Sequence, residues 1–459
     1  MGWAWLLAAC SVAFGQSPTW HATEVSGGTG GPFAVGSSVR VWGPTGEVFL
    51  LRHDHQLLPL SNGTELLMQS ATLEQWRCLD GPAGYCADAI HQGRWMVGST
   101  DEGNHMLHPS MAVHDLGDVR RVSIVRATKG YRYTCPQQPD GKTQWDLAAF
   151  EFHSGRGVVS MVPLEFARNA SECTDWGRLE VQVADDGVPW ACYTHADEAL
   201  GDAVRCRKQT SPLRWGEVVD LPRLWEADHP SFVLHDGQPV VAVHEAQGSG
   251  HRLRLHLPDP TLSPIDFDGE ADDQVRKNYP SLDGSDGIYR LAYEAGPGSK
   301  PVAYLRSCDA AAGDCSDYEP GSPNDGWAEE VFAGAEGIAG HPEIAVDAAA
   351  RREFLAYETN VATSAAVHNR VRVATRCVGD TDWLELAPRE PDARINDQVL
   401  GFGRPAFVLD TVHQLMHLSV IEATAWEGKL PDLHDPATDA RLFWLRASYA
   451  DLPACPVAG

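Results

Sequence analysis

The chain has little that would form long helices and little that would cross a membrane. No long run has apolar residues at the 3.6-residue period of an amphipathic helix. After the first residues, no segment has the 18 or more apolar residues that a membrane-spanning helix needs. With 43 Gly and 30 Pro in 459 residues, the apolar residues instead fall into short runs that turn residues interrupt. This pattern predicts an all-β protein without a transmembrane segment.

Basic residues are scarce. The chain has 36 Lys and Arg against 63 Asp and Glu, which gives a formal charge of −27. Binding to phosphate groups needs clustered Lys and Arg, so this balance argues against nucleic acid as a partner. The sequence has no CxxC pairs with the spacing of zinc ligands, and no glycine-rich nucleotide-binding motif stands in a supporting context. The excess of acidic residues suits a soluble protein with an affinity for cations or basic surfaces.

The N-terminus has the features of an export signal. A short apolar stretch ends in Ala13-Phe14-Gly15, a small-x-small site that suits cleavage before Gln16. We therefore expect a signal peptide at 1–15 and a mature chain at 16–459. An alternative is a lipoprotein, because Leu7-Ala8-Ala9-Cys10 resembles the cleavage motif that places a lipid on Cys10. Both interpretations predict a secreted, periplasmic or cell-surface protein.

The cysteines favour the same location. Eleven are present, and ten remain without Cys10. Their spacing suggests five disulfides, although sequence alone leaves the connectivity open. The candidate pairs are Cys78 with Cys86, Cys135 with Cys173, Cys192 with Cys206, Cys308 with Cys315, and Cys377 with Cys455. Disulfides persist in oxidising compartments.

An internal repeat dominates the mature chain. Each copy has a short apolar strand, a polar turn and a second alternating strand, and most begin at a Pro. Copies begin at Ser37, His108, Arg178, His229, Asn278, His341 and Arg404. A third strand and, in most copies, a Trp-led fourth strand follow, and the spacing of roughly 50 to 70 residues suits a four-stranded propeller blade. The repeat predicts one β-propeller with seven four-stranded blades. Six blades are the alternative, because residues 135–177 align poorly and hold either an insertion or part of an extra blade.

The two ends of the chain complement each other. The last copy stops after its third strand, RLFWLRAS at 441–448, and the mature N-terminus begins with the strand-like TWHATEVSGG at 19–28. An open ring would leave an unpaired edge. We therefore expect the N-terminal strand to join the last blade and close the ring, in a monomer.

The repeat resembles the sialidase-like (BNR-repeat) β-propeller superfamily. The shared pattern is Pro, apolar strand, Asp-Gly turn, aromatic-Glu, a third strand ending in Arg-Ser or Arg-Cys, and Trp. SPNDGW at 322–327 is a degraded form of that family's Asp-box. The resemblance implies the propeller fold. It does not imply sialidase activity, because the sequence has no Arg-Ile-Pro and its arginines cannot be matched to the family's triad.

The ends of the first two strands of each blade carry the candidate binding residues. These strands are antiparallel, so the start of one lies beside the end of the next. The resemblance implies that these ends surround the mouth of the central channel. The candidates are His108, Arg126, His195, His229, Glu245, Tyr279, Glu294, His341, Glu358, Arg404 and Glu422, with Trp426 in a long insertion of the last blade. His229 with Glu245, Tyr279 with Glu294, His341 with Glu358 and Arg404 with Glu422 are the predicted neighbours, and Arg126 is predicted where later blades have Glu.

Two functions fit such a ring. One is non-catalytic binding of a glycan or protein. The other is a carbohydrate-active enzyme, a glycoside hydrolase or a polysaccharide lyase, in which His, Glu and Tyr transfer protons. A structural alternative is that each His hydrogen-bonds the Glu of a neighbouring blade and holds the blades together. The sequence favours the non-catalytic binder and assigns no catalytic residue.

Calcium is the candidate cofactor. The segment IDFDGEADD places Asp266, Asp268 and Asp272 around Gly269. Alternating carboxylates around a sharp turn resemble part of a calcium-binding loop. A solvated acidic loop is the alternative.

The recurring tryptophans have a structural interpretation. They occupy one position of the repeat, and repetition is typical of packing between blades. They are Trp20, Trp95, Trp215, Trp327 and Trp383.

Overall fold

A computed structural model provides the fold. It describes residues 18–456, with gaps at 27–32, 43–44, 60, 64, 80–85, 87, 101–103, 116–119, 131–144, 154–156, 168–178, 198–200, 212–213, 224, 248–249, 259–262, 268–274, 298–301, 310–314, 316–325, 333–337, 363–366, 387–398, 402–405 and 425–439. Within these residues every element of regular structure is a β-strand. The predicted all-β class is confirmed.

Thirty strands are described. In chain order they are β1 (His21–Ser26), β2 (Phe33–Trp42), β3 (Glu47–Pro59), β4 (Glu65–Cys78), β5 (Ala89–Thr100), β6 (Asn104–Asp115), β7 (Arg120–Gly130), β8 (Trp145–His153), β9 (Gly157–Ala167), β10 (Leu179–Val183), β11 (Pro189–Asp197), β12 (Gly201–Ser211), β13 (Arg214–Trp215), β14 (Val219–Asp220), β15 (Glu226–His235), β16 (Gln238–Gln247), β17 (Gly250–His256), β18 (Ile265–Asp266), β19 (Val275–Asp283), β20 (Ile288–Pro297), β21 (Val302–Asp309), β22 (Ala328–Phe332), β23 (Ile338–Asp347), β24 (Arg352–Ala362), β25 (Val367–Cys377), β26 (Leu384–Leu386), β27 (Val399–Gly401), β28 (Ala406–Asp410), β29 (Leu415–Thr424) and β30 (Ala440–Ser448).

These strands form a β-propeller. They pair antiparallel in successive sheets, which are β2–β5, β6–β9, β10–β14, β15–β18, β19–β22, β23–β26, and β27–β30 with β1. The N-terminal strand β1 lies against β30, with His21 opposite Arg446 and Ala22 opposite Leu445. The two ends of the chain therefore share one sheet.

The region that aligned poorly, 135–177, contains ordinary strands. β8 pairs with β7, and β9 pairs with β8. These strands complete the sheet that begins at β6. The expectation of an insertion or part of an extra blade is therefore wrong for the described part of this region, because it supplies the third and fourth strands of a regular sheet.

The apolar core lies between neighbouring sheets. One cluster joins Leu253 and Ile265 of the β15–β18 sheet to Tyr289 and Leu291 of the next sheet. Others join neighbouring sheets in the same way. The first strands also touch in turn, β2 with β6, β6 with β10, β10 with β15, β15 with β19, β19 with β23, β23 with β28, and β28 with β2. Burial of these apolar faces is the main force that holds the sheets together.

Four of the five recurring tryptophans pack as predicted. Trp20, Trp95, Trp327 and Trp383 each lie in or against one of these clusters. Trp327 is buried, and its indole N–H donates to the carbonyl of Cys315 at 3.0 Å. Trp215 lies half-buried on β13.

Four predicted disulfides are present. They join Cys78 to Cys86, Cys192 to Cys206, Cys308 to Cys315, and Cys377 to Cys455. Cys10, Cys135 and Cys173 lie outside the described residues. Four disulfides indicate an extracellular or other oxidising location.

No helix in the described part of the chain is long and apolar enough to cross a membrane.

Candidate functional site

Four sheets share an irregularity in the first strand. The pairing of that strand with the following one skips two residues in each case, which are His108-Pro109 in β6, His229-Pro230 in β15, Tyr279-Pro280 in β19 and His341-Pro342 in β23. The residue before the proline has a φ of 50° at His229, 55° at Tyr279 and 49° at His341. A residue before proline prefers extended backbone, and a positive φ is unfavourable for residues other than glycine. The fold therefore holds three strained residues at one level, as is typical of functional sites.

The side chains of these residues form one row. The Tyr279 ring lies between the two imidazoles, with its centroid 5.0 Å from that of His229 and 4.1 Å from that of His341. All three side chains are half-buried. We call His229, Tyr279 and His341 the mouth row, because the first strands of a propeller line its channel and these residues lie near the beginning of those strands.

His341 is held by two carboxylates. Its Nδ1 lies 3.2 Å from Oε2 of Glu358 in its own sheet, and its backbone N–H donates to Oε2 of Glu294 in the preceding sheet at 3.3 Å. Gly340 permits the second contact, since a Cβ there would lie 2.7 Å from Glu294 Oε2. When Glu358 is ionised it accepts the proton on Nδ1, which leaves the lone pair on Nε2 of a neutral His341.

The strand register corrects one predicted pair. Ser231 lies opposite Ala242 in the same way that Ser281 lies opposite Ala292. Counting from these pairs, His244 occupies the position of Glu294, and Glu245 is one residue beyond it. Successive side chains in a strand point to opposite faces. The prediction that Glu245 neighbours His229 is therefore wrong, and Ala227 lies opposite Glu245 instead.

Glu245 has structural partners on its own face. It is buried, and its carboxylate forms ion pairs with Arg252 and Arg254, each at 3.1 Å. Two guanidinium groups around one buried carboxylate satisfy its charge. This arrangement is typical of a structural ion pair.

The same one-residue shift applies to Arg126. Ser110 lies opposite Val125, and Leu107 lies opposite Ala127. Ala127 thus takes the strand position of Glu294, and Arg126 takes that of the residue before it. The prediction that Arg126 replaces the repeated Glu is wrong by one residue.

The remaining candidate residues lie outside what the structure describes in side-chain detail. Glu422 is placed opposite Gly401, and the strands carrying His108 and His195 are described, without their side chains. Arg404 and Trp426 lie outside the described residues altogether. The predicted contact of Arg404 with Glu422 stays a prediction.

A second pair of histidines, which the sequence did not suggest, lies beside the mouth row. The imidazoles of His244 and His251 stack with an interplanar angle of 15°, and Nε2 of His244 lies 2.9 Å from Nδ1 of His251. The centroid of the His229 ring lies 6.4 Å from that of His244. The sequence did not predict this pair, because the repeats were aligned on Glu245 and not on His244, the residue that precedes it.

Serines two positions after the residue that precedes the proline form hydrogen bonds between neighbouring sheets. Ser231 Oγ accepts the backbone N–H of Leu282 in the next sheet at 3.1 Å, and Ser281 Oγ accepts that of Ile344 at 3.1 Å. Ser110 does the same for Val181. The serines make the contact between sheets that the structural alternative assigned to the histidine side chains. In the mouth row, the corresponding contact to Glu294 comes from the backbone of His341.

The structure tests the calcium prediction only in part. The carboxylate of Asp266 is engaged by Arg254, whose Nε lies 2.5 Å from Oδ1. Asp268 and Asp272 lie outside the described residues. Among the residues that are described, no group of three or more His, Cys, Asp or Glu is arranged to hold a metal ion.

Comparison with known proteins adds a likeness in fold. No protein-family model matches the chain. No curated protein matches it. Among solved structures, polysaccharide lyase Uly1 is 9% identical with a TM-score of 0.49, over 90% of this chain and 90% of that chain. The GH93 α-L-arabinofuranosidase of Fusarium graminearum is 12% identical with a TM-score of 0.42, over 74% and 92%. The sialidase of Trypanosoma rangeli is 10% identical with a TM-score of 0.43, over 79% and 59%. The resemblance to sialidases is therefore structural only, and these values say nothing about activity.

Proposed function

We propose that the protein is an exported carbohydrate-binding β-propeller and that the mouth row is its binding site. The observation that carries this proposal is the convergence of His229, Tyr279 and His341 from three consecutive sheets, each with strained backbone. The three rings contact one another in sequence, so one ligand could touch all three sheets.

The chemistry of the row suits a saccharide. Tyr and His rings offer apolar faces to the C–H groups of a sugar, and their polar atoms offer hydrogen bonds to its hydroxyl groups. The carboxylates of Glu294 and Glu358 supply further acceptors close to His341. A few convergent polar groups among ring faces are typical of small-ligand sites. A protein ligand is the alternative partner.

We further propose a closed ring of seven blades, in preference to six. The pairing of β1 with β30 and the contact of β28 with β2 support closure. Closure would remove exposed sheet edges, and we propose that the protein is a monomer. The proposed boundaries are a signal peptide at 1–15 and the propeller at 16–459, and the four disulfides support export.

Binding can be tested with one matched pair of variants. His229→Ala removes a row residue, whereas His235→Ala removes a half-exposed histidine at the other end of the same strand, β15. Oligosaccharides of neutral and uronic sugars would be screened by the shift in melting temperature and by calorimetry. We expect at least one saccharide to bind the wild type and His235→Ala equally, and His229→Ala at least tenfold more weakly. Equal binding to both variants, or binding of no saccharide, would overturn the proposal.

A further inference from the structure

We propose that the mouth row cleaves 4-linked uronic acid polysaccharides by β-elimination, with His341 as the base. This inference rests on the proposed function, because it takes the mouth row as the saccharide site. It adds a reaction and a class of substrate. The geometry that carries it is the arrangement of one imidazole between a carboxylate and a phenol.

The base is defined by its partner. Glu358 accepts from Nδ1 of His341 at 3.2 Å, and this contact fixes the tautomer in which Nε2 accepts a proton. Glu294 fixes the backbone of the same residue from the neighbouring sheet. The His341 side chain is 27% exposed, so it remains accessible to a ligand in the channel mouth. A base oriented by a third group is the arrangement that proton abstraction requires.

The carboxylates argue against hydrolysis at this site. Glycoside hydrolases generally use two carboxyl groups, one as an acid and one as a base or nucleophile. Here Glu294 and Glu358 both accept hydrogen bonds from His341. The group placed to take a proton from the ligand is therefore the imidazole. A sugar C–H is acidic enough for such a base only beside a carboxyl group, as at C5 of a uronic acid.

The step balances without a co-reactant. His341 Nε2 takes the C5 proton, and the electron pair of that bond forms the C4=C5 double bond. The C4–O bond breaks, and its electron pair leaves on the departing oxygen, which takes the hydroxyl proton of Tyr279. The imidazolium and phenolate then lie side by side, with ring centroids 4.1 Å apart, so the proton can return to Tyr279. We place the N–H of His229 against the substrate carboxylate, whose charge must be offset for C5 to lose its proton.

The products distinguish this reaction from hydrolysis. Elimination leaves one new reducing end and one unsaturated uronate for each bond cleaved, whereas hydrolysis leaves the reducing end alone. The probes are polygalacturonate, alginate and hyaluronan, beside neutral xylan and mannan. Ultraviolet absorbance follows the conjugated double bond, a reducing-sugar assay follows the new ends, and the melting temperature reports binding separately.

Two variants test the roles of individual groups. We expect His341→Ala to lose at least 100-fold in the rate of double-bond formation at saturating uronate polymer, where weaker binding does not account for the loss. Glu358→Gln keeps the size of the side chain and removes its charge, so we expect a slower rate at saturating polymer and a shifted pH profile. A residue that only supported the fold would leave the pH profile of the remaining activity unchanged.

Each outcome decides the inference. Double bonds in step with new reducing ends, lost in His341→Ala, would support it. Reducing ends without double bonds would mean hydrolysis. Binding of a uronate polymer without any product, or binding of neutral polymers alone, would also overturn elimination but leave the proposed binding function standing. Binding of no polymer would overturn both proposals.

Discussion

In each sheet of the mouth row, the first two strands form a hairpin, and the ionisable groups at its two ends differ in burial and in their partners. At the turn end of β19–β20, Arg290 donates two hydrogen bonds to Asp286, at 2.6 and 2.9 Å, and one to Glu353 of the next sheet at 2.5 Å. Glu353 also accepts from Arg376 at 2.7 Å. Arg290 is only 1% exposed. Burial alone would lower its pKa, but the hydrogen bond to Asp286 and the charge of Glu353 outweigh burial and raise it. We call these four residues the turn-end network.

The mouth row differs from this network in three respects. Its side chains are half-buried, its members are imidazoles and a phenol that can exchange protons, and its backbone is strained at every member. In the turn-end network, opposite charges satisfy each other. Buried charge alone therefore does not identify a functional site in this protein. Strain at a residue before proline within a strand, combined with partial exposure, separates the candidate site from the scaffold; Arg351 and Gln414, which also have a positive φ and partial exposure, lie in turns.

Removal of Arg290 should produce the largest loss of stability. Arg290→Ala leaves Asp286 without its buried guanidinium and Glu353 with Arg376 alone, and loss of one partner of a buried ion pair typically costs about 3–5 kcal/mol. Urea unfolding would measure the loss. The proposed saccharide binding at the mouth row should be unchanged in the folded fraction. A loss below about 1 kcal/mol would show that the network is closer to an exposed ion pair.

Protonation of a buried histidine outside the mouth row should destabilise the folded protein at acidic pH. His417 accepts the indole N–H of Trp444 at Nδ1, and burial, helped by the charges of Arg446 and His413, lowers its pKa to about 3. The unfolded chain, with a histidine pKa of about 6.5, therefore binds more protons than the folded chain between these values. Stability is full above about pH 6.5 and falls as the pH decreases through this window, by up to about 1.4 kcal/mol per unit.

The variant His417→Asn tests this effect. Asn keeps an acceptor near the Trp444 indole and does not titrate. We expect the slope of unfolding free energy against pH between about 6 and 4 to decrease by roughly one proton equivalent. His256, whose pKa burial also lowers to about 3, would keep part of the slope. An unchanged slope would mean that His417 is not the titrating group.

The sequence was sufficient to predict the strands but not the register in which neighbouring strands pair. Alternating apolar runs and turn residues predicted the hairpins, because patterning is a local property. The pattern does not reveal that His229-Pro230 is skipped in the strand pairing. A register error of one residue moves a side chain to the other face of the sheet. His244 was therefore missed and Glu245 chosen. The serine contacts between sheets were missed for a related reason, since Ser281 and Ile344 are joined only by packing of two sheets.

Loss of a serine contact should have a moderate effect. Ser281→Ala removes the acceptor of the buried Ile344 N–H and a hydrogen bond to Glu343 at 3.2 Å. An unsatisfied buried N–H costs about 1–3 kcal/mol, which urea unfolding can resolve. Ser211→Ala, at an exposed position, is the control and should stay within about 0.5 kcal/mol of wild type. A Ser281→Ala protein as stable as that control would mean that the sheets do not depend on this bond.

The strain in the mouth row should give the smallest effect, with an unusual sign. At most positions Gly is less stable than Ala, because it leaves more backbone freedom to the unfolded chain. At His229, where φ is 50°, we expect His229→Gly to be more stable than His229→Ala by about 1 kcal/mol, since both lack the imidazole and only Ala retains the strain. The same two substitutions at His235 should give the ordinary order. An ordinary order at both positions would remove strain from the description of the row and leave partial exposure and proton-exchanging side chains as its differences from the turn-end network.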